Sequence, residues 1–141
     1  VLVFNPAGHL FLQKRSRLKD TAPGLWDTSV GGHPQPGESP MEAARRECSE
    51  ELGLQPGALH EAYTYTWSTP YETELISAFA TGHSGPFLLA PDEIDEGRFW
   101  PMAEIDNALR LGIFTPQFVQ EYPRMTTWWA QHHDLLESTR L

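Results

Sequence analysis

Hydrophobic and polar positions change period several times along this chain, and each change marks an element. Val1–Phe4 and Leu10–Lys14 are β-rich runs on either side of Asn5-Pro6-Ala7-Gly8, which has turn composition, so the start reads as a hairpin. Leu25–Val30 is a short apolar run that reads as a strand. It leads into Gly31-Gly32-His33-Pro34-Gln35-Pro36-Gly37, a stretch too rich in Gly and Pro to be regular. From Ser39 the period becomes helical. Ser39 suits the N-cap, Pro40 the first helical position, and Glu42 completes a capping box. Met41, Ala44, Cys48 and Leu52 then fall on one side at helical spacing, and Gly53 is placed to end the helix in a left-handed conformation.

Alternation returns at Ala58–Trp67 and Thr73–Thr81, with a shorter run at Gly97–Pro101, and these read as strands. Ala103–Arg110 looks helical. Thr115-Pro116 could cap a last helix through Phe118, Val119 and Tyr122, bent or interrupted at Pro123. Trp128 and Trp129 would pack that helix on the sheet, although an exposed pair could instead mark a homodimer contact. Tyr65 and Trp67 read as core, with stacking on a base or lining a pocket as the alternative, and His132 and His133 read as tail residues. Several strand pairs have no helix between them, so the expectation is one α/β (α+β) domain over residues 1–141 with a mixed sheet, not a doubly wound parallel one.

Composition narrows the function classes without choosing one. Hydrophobic residues are 40% and charged residues 21% of the chain, ordinary for a globular protein. No apolar run approaches the roughly 20 residues that span a bilayer, so no membrane partner is expected. A single cysteine, Cys48, excludes an internal disulfide and fits a cytoplasmic protein. The chain opens on Val1 in what reads as a strand already under way, so upstream residues, a targeting segment among them, belong to the open questions. A net charge of −9 argues against broad DNA or RNA binding, but an acidic protein can hold a phosphorylated small molecule through divalent cations.

The candidate chemistry lies on the helix that begins at Pro40. Glu47, Glu50 and Glu51 stand at i, i+3 and i+4, so their carboxylates project from neighbouring positions and repel one another. A cation would offset that cost, and clustered hard oxygens suit Mg²⁺ or Mn²⁺ rather than zinc. Arg46, four residues before Glu50, could pin one carboxylate while the others face metal. An acidic helix face alone is usually just solvated. The whole spacing is more specific: Gly32, Glu38, Arg46, Glu47, Glu50, Glu51 and Gly53, each at about 6% background usage, coincide by chance on the order of once in 10⁸ starts.

Gly32–Leu54 carrying those positions resembles the Nudix box, with Cys48 where the family usually has an aliphatic residue. Cys48 lies on the core stripe and reads as a small hydrophobe. The resemblance implies an α/β/α sandwich with a mixed central sheet, a catalytic loop–helix–loop, and hydrolysis of a nucleoside diphosphate linked to another group. It implies Glu47, Glu50 and Glu51 as metal ligands, Glu38 as a support for the loop or an outer metal water, and Arg46 as the residue that orients the carboxylates. The proton acceptor stays open: Glu47 and Glu51 are candidates inside the box, Glu72, Glu74, Glu93 and Glu96 outside it. Gly31 and Gly32 are candidate substrate contacts. Lys14 and Arg15, in the basic run with Arg17 and Lys19, are candidate phosphate contacts beside the bland reading of a solvated face.

Pro23–Gln35, Tyr71-Glu72-Thr73-Glu74 and Gly112–Pro116 further resemble the type I isopentenyl diphosphate isomerases, a branch of the same superfamily. In that branch a catalytic cysteine precedes a Gly-His-Pro-Gln run, and a Glu-x-Glu pair with histidines binds metal. Here the cysteine position is Gly31, which has no ionisable side chain, and the box is complete; both departures point to hydrolysis. His33, Glu72 and Glu74 do match and are candidate second-site ligands. Three readings therefore stand: a diphosphohydrolase acting on a small-molecule diphosphate, an isomerase-like enzyme, and a Nudix-like binding module without turnover.

Overall fold

The computed structural model describes residues 1–137. Six strands form a mixed sheet: β1 (Leu2–Phe4), β2 (Leu10–Arg15), β3 (Trp26–Asp27), β4 (His60–Ser68), β5 (Thr73–Gly82) and β6 (Ile94–Trp100). The helices are α1 (Pro40–Leu52), α2 (Met102–Ala108), α3 (Pro116–His132) and the single turn α4 (Asp134–Glu137).

β2 organises the sheet. β6 pairs antiparallel along one edge from Leu10↔Trp100 to Arg15↔Ile94. The other edge is shared by β1, through Phe4↔Leu10, and β3, through Gln13↔Asp27 and Lys14↔Trp26. β1 runs parallel to β5, and β5 pairs antiparallel with β4 at the sheet's edge. The run expected as a strand over Leu25–Val30 pairs only at Trp26–Asp27. Beyond it the Ser29 hydroxyl donates to the Phe11 carbonyl and accepts from the Val3 amide at 3.0 Å, so a side chain occupies backbone positions that a longer strand would have used.

The pleat sends alternate residues to two apolar layers. Leu2, Phe4, Leu10 and Leu12 pack with Phe118, Tyr122, Met125 and Trp128 of α3 and Ile105 of α2. Val3 and Phe11, from the other face, pack with Cys48 and Leu52 of α1. This is a helix–sheet–helix sandwich. Burying Leu52 completely contributes roughly 1.5–3 kcal/mol to holding α1 in place.

α1 is bounded as its sequence suggests. Ser39 accepts from the Glu42 amide, the Glu42 carboxylate accepts from the Ser39 amide, and Gly53 stands at φ 62 with its N–H on Ser49 and Cys48 carbonyls. α3 passes through Pro123 without interruption, and the Thr126 and Thr127 hydroxyls both donate to the Pro123 carbonyl at 2.9 Å. Trp128 is buried and Trp129, partly buried, stacks on Phe4 with centroids 4.5 Å apart, so the pair packs α3 on the sheet. His132 and His133 end α3, and Leu136 beyond them is fully buried, so this segment is packed and not a loose tail.

Gly97 of β6 lies against the Phe11 ring, where an added Cβ would sit 2.4 Å from Cζ; that ring is hemmed by Phe87 and Phe99. Gly97→Ala should therefore destabilise the protein by about 1–3 kcal/mol, read as a lowered denaturant midpoint with an unchanged slope.

Candidate active site

The loop between β3 and α1 has almost no ladder bonding of its own, so side chains must hold it. Arg46, in the middle of α1, supplies most of them. Its Nε and Nη2 grip both oxygens of Glu38 at 2.8 and 3.0 Å, and Nη2 also donates to the His33 carbonyl at 3.0 Å. Nη1 donates to Glu50 one turn on at 3.1 Å, and Nη2 reaches Glu47 at 3.4 Å. The Gln35 amide adds a bond to Glu38 at 2.9 Å, and the Arg46 fork with this amide holds the Glu38 carboxyl below the usual carboxylate range.

With the loop drawn down, Gly32 comes so close to α1 that an added Cβ would lie 2.5–2.6 Å from the Glu47 carboxylate atoms. Glu47 is only 8% exposed, and burial pushes its pKa up. Glu51 accepts from Gln13 Nε2 at 2.8 Å and from the Gly31 amide at 3.5 Å, yet burial outweighs both bonds and pushes it up to about 7. Cys48 between them faces the core, its thiol pushed up to about 11 by burial, which suits an inert packing residue.

These carboxylates line a cleft of ≈ 770 Å³ that also takes in Gly31, Gly32, His33, Arg15, Glu74 and Glu93. His33 Nδ1 lies 3.0 Å from Glu74 Oε2, bridging loop and β5. Arg15 donates to the Thr21 carbonyl and hydroxyl and stands 3.9 Å from Asp27. Lys19 pairs with Glu93 at the rim.

Four expected site residues are placed otherwise. Lys14 follows Leu10 and Leu12 onto the opposite face of β2, because side chains alternate, and does not line the cleft. Glu72 sits exposed in the turn before β5, where its backbone carbonyl accepts from Thr69, and is also outside the cleft; Glu96, paired in register with Lys14, shares Lys14's side. Glu50 lines the cleft but is turned onto Arg46, so the three box glutamates do not converge: among the described residues no three His, Cys, Asp or Glu side chains come together tightly enough to hold an ion.

The residues nonetheless fit a hard divalent cation. Two neighbouring carboxylates are withdrawn from water, where burial outweighs the Arg46 and Gln13 contacts they have, and one fills the space a Cβ at position 32 would take. Mg²⁺ commonly takes one or two carboxylates and completes its shell with waters and substrate phosphate. Glu47 and Glu51 would hold it, with Glu50 one turn away.

The far end of the cleft contains side chains that the motif reading missed. Asp27, Gln117 and Glu121 line it. Glu121, 6% exposed on α3, accepts from Tyr63 at 2.5 Å and from Tyr65, which in turn accepts from Gln117 at 3.0 Å. Asp27 accepts from Thr115 at 3.2 Å, and burial raises its pKa against the pull of the Thr28 amide and Arg15. One signal was available: an acid at position 121 interrupts the apolar stripe Phe118, Tyr122, Met125 that α3 turns to the core.

A family model for the NUDIX domain matches residues 1–122. The chain is 36% identical over 99 residues to an uncharacterized Nudix hydrolase from Pseudomonas aeruginosa, covering 70% of this chain and 59% of that one. It is 46% identical over 125 residues to an isopentenyl-diphosphate Delta-isomerase from Streptomyces griseus, covering 84% and 64%. The chain thus spans about six-tenths of the length of these relatives. Among solved structures, one from Deinococcus radiodurans aligns at TM-score 0.72 and 24% identity over 85% of this chain and 78% of that one. The NUDIX domain of Shewanella oneidensis NrtR, complexed with ADP ribose, aligns at TM-score 0.69 and 14% identity over 89% and 82%. Both show the sandwich fold.

Two outcomes follow from the geometry. Gly32→Ala must displace the Glu47 carboxylate and should weaken Mg²⁺ or Mn²⁺ binding by roughly 10–100-fold in a calorimetric titration, with the fold intact. Glu51 has a folded pKa near 7 against 4.5 for an unperturbed group, so the native state holds its proton more tightly. Metal-free stability should therefore fall as pH rises from about 4.5 through 7, with Glu47 and Asp27 adding to the same slope. Thermal melts should show this decline, Glu51→Gln should flatten it, and Mg²⁺ should reverse it at pH 8.

Proposed function

The chain belongs to the Nudix family, and from that premise we propose that it hydrolyses the diphosphate linkage of a nucleoside diphosphate derivative or similar organic diphosphate, with Mg²⁺ or Mn²⁺. The observation that carries this reading is the pair of desolvated carboxylates, Glu47 and Glu51, facing a glycine-lined loop at the head of the cleft. A bound divalent cation supplies neutralisation of the diphosphate oxygens and a more acidic water. Glu47 and Glu51 hold that charge in place. Gln13 fixes the Glu51 carboxylate through one oxygen, and Arg46 keeps the loop seated. Arg15 and Lys19 present cations at the cleft wall for the substrate's phosphates. In the reaction a water oxygen bonds to one phosphorus, the bridging P–O bond breaks, and the water's proton passes to a carboxylate. Outside α1, Glu74 and Glu93 are the glutamates that line the cleft, and Glu93 already pairs with Lys19, so Glu74 with His33 beside it is the better placed acceptor.

A second reading, allylic isomerisation, is favoured by the identity to the isomerase-named relative from Streptomyces griseus. Against it stands Gly31, which lines the cleft and has no side chain to move a proton at carbon.

Glu51→Gln should lower hydrolysis of a diphosphate library by on the order of 10²-fold or more while the circular dichroism spectrum is unchanged. Wild-type rates in that variant would remove the metal role. Incubation with isopentenyl diphosphate and Mg²⁺ should give no allylic isomer; robust conversion would overturn the hydrolase reading.

A further inference from the structure

We propose that Gln117, with Asp27 and Glu121 beside it, selects a hydroxyl-bearing group on the organic side of the diphosphate and rejects a hydrocarbon chain. This rests on the reading of the α1 end of the cleft as the diphosphate site. The cleft is continuous from Glu47 and Glu51 to these three side chains, so whatever is attached to the diphosphate must meet them or the β5 wall. That wall is partly apolar, with Ile76, Ala78 and Phe79. The α3 and β3 side offers an amide and two carboxylates.

Their partners are fixed before any ligand arrives. Gln117 donates to Tyr65, Tyr63 and Tyr65 both donate to Glu121, and Thr115 donates to Asp27. The tyrosine and threonine donors hold the carboxylates in position from behind, and a carboxylate has about four acceptor sites, so each can accept more. Hydroxyl groups supply the matching donors. A hydrocarbon chain would strip water from the amide and the carboxylates and return nothing. A cationic group is the poorer match, because Arg15 stands 3.9 Å from Asp27 and Lys19 lines the same cleft. A ring with one apolar face and hydroxylated edges, such as a sugar, meets both walls.

The test uses two methylene-bridged diphosphonate esters, one of ribose and one of geraniol, titrated into the protein with Mg²⁺ and followed by calorimetry. The ribosyl ester should bind roughly 100-fold or more tightly than the geranyl ester. Gln117→Leu, a half-buried position in the first turn of α3, should narrow that ratio by about 10-fold or more at an unchanged Tm. Equal binding of the two esters, binding of neither, or an unaltered ratio in Gln117→Leu would overturn the proposal. Turnover of the corresponding diphosphates is measured separately. A retained binding preference with no release of phosphate products would sink the hydrolase reading and leave the selectivity standing.

Discussion

The guanidinium of Arg46 is the interaction on which this site depends. A loop of Gly and Pro between β3 and α1 has little reason to adopt one conformation, since it pays backbone entropy without a ladder to return it. Arg46 ties that loop to the helix at both Glu38 oxygens and at the His33 carbonyl, and reaches Glu50 and Glu47 on its own helix. Lysine could not do this. Its ammonium is a point charge with no planar fork, whereas the same guanidinium serves two carboxylates and a carbonyl at fixed angles. The close approach of Gly32 to Glu47 is a consequence of that clamp, and so is the position of the Gly31 amide over Glu51.

Seating the loop has an energetic cost that reads as function. Glu47 and Glu51 are pressed between α1, β2 and the loop, and burial raises both pKa values although Gln13 and Arg46 oppose it. A purely structural helix would have apolar residues at two such positions. Neighbouring carboxylates whose pKa values burial raises belong to sites where charge is to be received. Glu50 shows the complement: more exposed and engaged by Arg46, it rests in an ion pair at the side of the cleft.

Much of this was legible in the residues. Ser39, Pro40, Glu42 and Gly53 bound α1 because caps and turns act locally, and Arg46–Glu50 follows from an i, i+4 spacing that a helix converts directly into proximity. What escaped depends on register and tertiary contact. Lys14 and Arg15 are neighbours in sequence and opposites in space, and only the placement of Phe11 against α1 decides which one faces the cleft. β3 is short because Ser29 bonds sideways into β1 and β2, which no local pattern announces. The Tyr63–Tyr65–Glu121–Gln117 network joins β4 to α3 across more than 50 residues, so beyond the lone acid in the apolar stripe of α3 nothing local marks its partners.

The likeness to an isomerase-named relative extends over most of the chain, and a likeness of that extent says little about which bond is broken in the cleft. Two local features bear on that question. Position 31 is glycine, so that position contributes a backbone amide and no titratable side chain to the cleft. The opposite wall is polar, with Gln117, Asp27 and Glu121 held by donors from β4 and α3. Chemistry at a carbon–carbon double bond needs a proton donor and acceptor set against an apolar pocket. Chemistry at phosphorus needs only charge, a water and a carboxylate, and the cleft supplies the residues for those.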